Sequence, residues 1–294
     1  MKYPRGVKGI VLAGGTGSRL WPITKGISKQ LVPIYDKPLI HYPIGTLFLA
    51  GIRDILVITT PEDQSSFQRL LGDGSQYGAS FKYRIQNKPS GIAEAFIVGE
   101  DFIEDAPVAL ILGDNIFHGI GLGQQLRSLN SNDGATVFAY KVANPESYGV
   151  VEFSTDGKVI SIEEKPQKPK SSYAIPGLYF YDSQVCKIAK KIKPSGRGEL
   201  EITAINSHYL SKNQLTVRVL DRGTVWLDSG TIQMLHAASS YIQVIEERQG
   251  SKVSCLEEIA WRNDWITDQQ MVEIARSYGN NPYGAYISQL LEDK

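Results

Sequence analysis

A short apolar run, VKGIVLA over residues 7–13, empties into Gly14-Gly15-Thr16-Gly17-Ser18-Arg19. Glycines at 14, 15 and 17 remove the Cβ atoms that would hold backbone N–H groups away from an anion. Arg19 adds a planar fork of donors for the same anion, and Lys29, in Ser28-Lys29-Gln30-Leu31-Val32-Pro33, places a second cation downstream. Trp21-Pro22 follows at once, so the loop does not run directly into a long helix. The lysine and hydroxyl pair that closes a P-loop is absent, and Leu20 stands where a dinucleotide fingerprint needs its third glycine. On the loop alone, a phosphate cradle and an ordinary tight turn are both open.

Five further groups could share that chemistry. Asp114, in Gly113-Asp114-Asn115, follows an apolar run, and Mg²⁺ takes only one or two protein carboxylates beside phosphate oxygens and water. It equally suits a turn-forming Asx residue. Asp228, in Trp226-Leu227-Asp228-Ser229-Gly230, has the same placement, with a helix N-cap as its rival role. Glu163-Glu164-Lys165-Pro166 sets a carboxylate beside an ammonium, suited to sugar hydroxyls and a phosphate or to a solvated charge cluster. Gln86 and Gly91, in QNKPSG, offer an amide and a bare backbone that could read a pyrimidine edge, or simply a strand-to-helix loop. Arg197-Gly198-Glu199-Leu200-Glu201 is a further cation among acids, or a turn with carboxylates at a helix's positive end.

The elements that must position these groups alternate. Residues 52–59 (IRDILVIT), 81–85 and 108–112 (VALIL) read as strands, the last apolar enough to be central, with helices over 61–71 and 92–102. This alternation predicts an α/β fold, a mainly parallel sheet flanked by helices, with ligands beyond the carboxyl ends of the strands. The second half changes character. A hairpin is predicted from 150–153 and 159–162 around Asp156-Gly157, with strands over 173–181 and 214–220. Helices are predicted over 201–212, 232–247 and much of 257–291, and Lys165 to Lys170 (KPQKPK) reads as a solvated loop. The change of character predicts one unit over 1–240, divided at about 140/141. A helical extension over 241–294 packs on the same unit and supplies oligomer contacts.

Bulk properties remove other classes. The chain has 294 residues, 42% of them apolar, enough for a large core. Basic and acidic residues balance at 31 each, so no overall field recruits nucleic acid or an anionic membrane. Cys186 and Cys255 are far apart, which suits a reducing cytosol, and no apolar stretch approaches a spanning helix or a signal peptide. The expectation is a cytoplasmic protein. His41, His118, His208 and His236 have no triad-like or metal-like spacing.

Taken in order, the motifs GGTGSRLWP, SKQL, GDN, EEKP, GLYFYD, RGELEIT and WLDSGT resemble the glucose-1-phosphate thymidylyltransferases, from about Gly9 to the C-terminus. The resemblance implies a Rossmann-like nucleotidyltransferase fold, a homotetramer, and condensation of dTTP with α-D-glucose 1-phosphate to dTDP-glucose and pyrophosphate, the first step of dTDP-deoxysugar synthesis. It makes 1–240 the catalytic unit, nucleotide-binding to about 140 and sugar-binding from about 141, and puts Gly14, Gly15, Thr16 and Gly17 around the triphosphate, with Arg19 and Lys29 on its phosphates. It implies that Gln86 and Gly91 read thymine and that Asp114 and Asp228 hold Mg²⁺. Tyr148, Gly149, Glu164, Lys165, Ile175 and Arg197 are implied contacts of the sugar phosphate. Two positions depart from the pattern: Ile175-Pro176 stands where Val-Thr is common, and Ile232 replaces a common His. They bear on the exact sugar and leave the phosphoryl chemistry intact. The rival within the class is a UTP-specific or other hexose-1-phosphate enzyme, since pyrimidine readout tolerates both dTTP and UTP; the rival outside it is a non-catalytic nucleotide-sugar-binding regulator. The implied chemistry needs no protein nucleophile and no general base, because the attacking phosphate is already ionised; positioning and charge stabilisation carry it.

Overall fold

The structure, a computed structural model, describes residues 6–129 and 134–292. Four strands form the parallel heart of a ten-stranded sheet: Ser80–Ile85, Asp54–Thr59, Lys8–Ala13 and Val108–Leu112, in that spatial order. The three inner ones, KGIVLA, DILVIT and VALIL, are branched and apolar because both faces are covered, whereas the edge strand SFKYRI alternates and is largely exposed. Alternate side chains feed different layers. Val11, Val57 and Ile111 enter one hydrophobic cluster, while Ile10, Leu56 and Leu110 enter the other. The expected mixed, mainly parallel sheet flanked by helices is what the chain forms.

Beyond Val108–Leu112 the sheet turns antiparallel. Leu178–Tyr181 pairs with that strand and with Ala135–Lys141, which Leu215–Val219 joins in parallel. Gly149–Phe153 and Val159–Glu164 form the expected hairpin at the far edge. Strands from both expected parts of the catalytic unit thus share one sheet. The strand Ala135–Lys141 runs through the expected boundary near 140, and the helix Ile232–Gln249 runs through that at 240.

Several elements differ from expectation for identifiable reasons. The strand expected over 173–181 is two, Tyr173–Ala174 and Leu178–Tyr181. Pro176 has no N–H for a ladder, and the Gly177 N–H instead donates to Asn115 Oδ1 at 3.0 Å. The helix expected over 92–102 breaks at Gly99 into Glu94–Val98 and Glu100–Ile103. The C-terminal helical run is three helices, Leu256–Arg262, Asp268–Tyr278 and Pro282–Glu292. Through Leu256, Met271 and Ile287 they pack into the same cluster as Val11 and Ile111. The helix His41–Leu49 and the two-stranded ribbon Asn115–His118/Val225–Asp228 had no expectation.

Candidate active site

Register brings the carboxyl ends of the parallel strands level: Leu12 lies opposite Leu112, Ala13 opposite Thr59, and Thr59 opposite Ile85. Gly14, Gln86 and Gly113-Asp114 each follow directly, so three predicted pieces meet at one sheet end by topology alone. After the glycine loop the chain makes short 3-10 turns, Ser18–Leu20 and Ile23–Lys25, as Trp21-Pro22 suggested. Gly17 sits at φ +62°, and Thr24 donates its hydroxyl to the Gly17 carbonyl at 2.7 Å, which pins the loop. Gly15 and Thr16 stay exposed.

The two aspartates meet through the ribbon. Asp228 is paired in register with Asn115, and the Ser229 N–H donates to the Asp114 carbonyl at 3.2 Å. The rival cap role for Asp228 falls away, because Thr231 caps the helix Ile232–Gln249 by accepting from the Met234 N–H. Lys29, buried in the turn Lys29–Leu31, lies with its Nζ 2.5 Å from Asp114 Oδ2. Asn115 Nδ2 donates to Asp114 Oδ1 at 2.8 Å. Burial, then the charge of Asp114, holds the Asp228 carboxyl above its ordinary value, while Lys29 and Arg19 pull it the other way. The two carboxylates thus line one cleft, and the charge of each disfavours the other.

A cleft of about 270 Å³ opens beside this pair. Of the predicted residues it takes in Arg19, Asp114, Tyr148, Gly149, Glu164, Lys165, Ile175 and Asp228. Strand alternation divides the EEKP motif: Glu163 pairs with Lys170 at 2.8 Å, whereas Glu164 turns inward and accepts from the Thr203 hydroxyl. Lys165 is exposed at φ +44°, a conformation a lysine rarely adopts, and its N–H donates to the Tyr148 carbonyl at 3.0 Å. The Ile175 N–H donates to the Gly149 carbonyl at 2.8 Å, completing that wall. Arg197 reaches the site only through Glu164, 3.5 Å away.

Gln86, Gly91 and Gly14 form a second cluster beside the cleft. A Cβ on Gly14 would lie 2.5 Å from Gln86 Oε1, so a larger residue there would displace that amide from the loop. Gln86 is 4% exposed and donates its Nε2 to Glu94 Oε2 at 2.6 Å. Gly91, at φ +111°, packs on Leu200, whose carbonyl would be 2.4 Å from an added Cβ.

Sequence reasoning passed over several lining groups. Asn115 is the largest omission. It is 2% exposed, and its Oδ1 accepts from the Gly177 N–H and from Trp226 Nε1 at 2.7 Å while its amide holds Asp114. Only its place beside Asp114 signalled it. Trp226, stacked edge-on against Tyr148 with centroids 5.0 Å apart, walls the cleft; Thr203 and Asn206, one helical turn apart, line its base.

The chain is similar to several known proteins. The nucleotidyl transferase family profile matches residues 8–244. A glucose-1-phosphate thymidylyltransferase of Neisseria meningitidis is 55% identical over 97% of this chain and 100% of its own length. That of Mycolicibacterium smegmatis is 56% identical over 97% and 99%. Among solved structures, a Bacillus anthracis protein proposed to be such an enzyme, crystallised with sucrose, superposes with a TM-score of 0.74 at 44% identity. It covers 80% of this chain and 94% of its own. A UDP-glucose pyrophosphorylase bound to UDP-glucose shares the fold at 24% identity, with a TM-score of 0.71, over 81% of this chain and 99% of its own.

Proposed function

The chain belongs to the nucleotidyl transferase family, on a line with the glucose-1-phosphate thymidylyltransferases, and we propose that it makes dTDP-glucose and pyrophosphate from dTTP and glucose 1-phosphate. The observation that carries the reading is one cleft lined by Asp114, Asp228, Arg19 and Lys165, with Lys29 paired to Asp114 and a carboxylate, Glu164, suited to sugar hydroxyls.

The proposed nucleotide-binding groups are Gly14, Gly15, Thr16 and Gly17 for the phosphates and Gln86 with Gly91 for the base. Tyr148, Gly149, Glu164, Lys165, Ile175 and Arg197 are the proposed sugar-phosphate contacts. A phosphate oxygen of glucose 1-phosphate attacks the α-phosphorus of dTTP as the bond to pyrophosphate breaks. Lys165 and Arg197 orient the attacker, and Arg19 and Lys29 take up charge on the transferring and departing groups. No residue need remove a proton, because the attacking phosphate is already ionised.

Mg²⁺ fits the proposed cation site. Asp114 and Asp228 repel each other across a partly buried gap, and Mg²⁺ needs only one or two carboxylates when phosphates complete its shell. Among the described residues no group of three His, Cys, Asp or Glu side chains forms a cage of the kind zinc or calcium would need. The ion, held by Asp114 and Asp228, would supply neutralisation of charge between the two phosphate groups.

Among the described residues no helix is long and apolar enough to cross a membrane. The two buried, unpaired cysteines suit a reducing compartment, which supports a cytoplasmic location. Family resemblance supports a homotetramer, testable by light scattering. The deciding experiment is pyrophosphate release from dTTP and glucose 1-phosphate with Mg²⁺, beside a panel of UTP and other hexose 1-phosphates. Preferred turnover with dTTP and glucose 1-phosphate is expected. Tight dTDP-sugar binding with no pyrophosphate released would refute the enzyme reading.

A further inference from the structure

Arg197 stands among three carboxylates, but they do not hold it equally. Its Nη2 is 3.5 Å from Glu164 and 3.7 Å from Glu199. Glu201 Oε1 instead accepts from both Nη2 at 2.8 Å and Nε at 3.2 Å. The same oxygen accepts from the Ser195 hydroxyl at 2.7 Å. Glu201 itself has little freedom. It is the residue preceding the helix Ile202–Ser211, yet its carboxylate makes no capping bond there. The adjoining Leu200 is fixed through both backbone groups, donating to the Ser90 carbonyl at 2.7 Å and accepting from the Ala93 N–H at 3.0 Å. The Glu201 side chain is 12% exposed, against 42% for Arg197.

A long, half-exposed arginine loses much rotamer freedom when it must grip an anion, and that cost falls on substrate binding unless it has been met beforehand. We infer that Glu201 is a positioning residue: it presets the Arg197 guanidinium at the mouth of the cleft, leaving the edge near Glu164 for the phosphate of the sugar substrate. Glu201 meets substrate only through Arg197. This inference rests on the proposed role of Arg197 as a sugar-phosphate contact.

The test is steady-state kinetics on Glu201→Gln, Glu201→Asp, Arg197→Ala and the double variant Glu201→Gln/Arg197→Ala, varying each substrate in turn. Glu201→Gln should raise KM for glucose 1-phosphate about tenfold, the low end for a lost charge-assisted bond, with KM for dTTP unchanged. Glu201→Asp keeps the charge and should fall between Glu201→Gln and the parent. In the Arg197→Ala background, Glu201→Gln should add nothing, because its route is already gone. Additive losses, or a KM effect shared equally by both substrates, would make Glu201 merely structural and overturn the inference. If Arg197→Ala raised KM for glucose 1-phosphate while Glu201→Gln did not, the positioning role would fail and the function would stand. If Arg197→Ala itself left that KM unchanged, the assignment of Arg197 would fail, and the inference with it. Should Glu201→Gln not fold, Glu201→Asp alone and over Arg197→Ala gives the same comparison.

Discussion

Replacing Lys29 with methionine keeps its apolar stem and removes one charge from the centre of the site. In the parent the ammonium is 2.5 Å from Asp114 Oδ2, with 7% of the lysine side chain and 23% of the aspartate side chain exposed. Removing one partner of a fully buried pair costs about 3–5 kcal/mol. Asp114 keeps its bond from Asn115 at 2.8 Å and some contact with water, so the loss belongs at about 1–3 kcal/mol. For a chain of this size that lowers Tm by roughly 2–4 °C per kcal/mol. The penalty should depend on pH. Lys29 draws the Asp228 carboxyl down against burial and Asp114, so its removal moves that group further above its ordinary 3.8. A carboxyl raised in the folded state adds stability below its unfolded value and loses it as pH rises through the folded one. The deficit of Lys29→Met against the parent should therefore be full at neutral pH and shrink towards pH 4. A simple packing defect would not change with pH. Turnover should fall by about 10²–10³, the worth of one preorganised charge-stabilising group. Thermal melts across pH and a pyrophosphate-release assay measure both. Near-normal turnover, or a pH-independent deficit, would refute the electrostatic account of this lysine.

Two other substitutions probe different parts of the site. Asp114→Asn should lose at least about 10² in turnover and should abolish the rise in Tm that Mg²⁺ gives the parent. That rise is about 1.4 kcal/mol of stability at ten times the dissociation constant, so an undiminished Mg²⁺ shift in the variant would remove Asp114 from the cation site. Gly91→Ala forces alanine to φ +111° and sets its Cβ 2.4 Å from the Leu200 carbonyl, so the loop must move. It should cost about 1–3 kcal/mol in a thermal melt and raise KM for dTTP, whereas an unchanged Tm would show that this loop yields freely.

What the sequence disclosed divides along a physical line. The inner parallel strands were legible because each carries its own apolar run and the edge strand Ser80–Ile85 because it alternates, and the chemistry that follows them was legible because topology places strand ends together. The helix His41–Leu49 was not, since eight of its nine residues are buried and an element covered all round has no amphipathic period to read. The ribbon that joins Asn115–His118 to Val225–Asp228 was hidden because its partners lie far apart in the chain. Asn115 shows the limit most clearly. Its type and neighbour were visible, but its value comes from Gly177 and Trp226, which only the folded chain brings to one oxygen.

The site's charges are arranged for an exchange of partners. Lys29 is held by Asp114 and Arg197 by Glu201 and Glu164, so two of the proposed substrate-binding cations are already matched before any phosphate arrives. Among the described residues Arg19 and Lys165 make no ion pair, and both line the cleft. Two anionic substrates meeting here therefore gain first from these two groups, and the matched pairs yield only as carboxylates are neutralised by another route. In the proposed reaction a divalent cation would neutralise Asp114 and Asp228, and the sugar's hydroxyls would donate to Glu164. The same carboxylates that hold these cations in order are those the substrates must re-employ, which is why truncating either of the paired cations should cost binding and stability together. Loss of Lys165, exposed and unmatched, should cost binding almost alone.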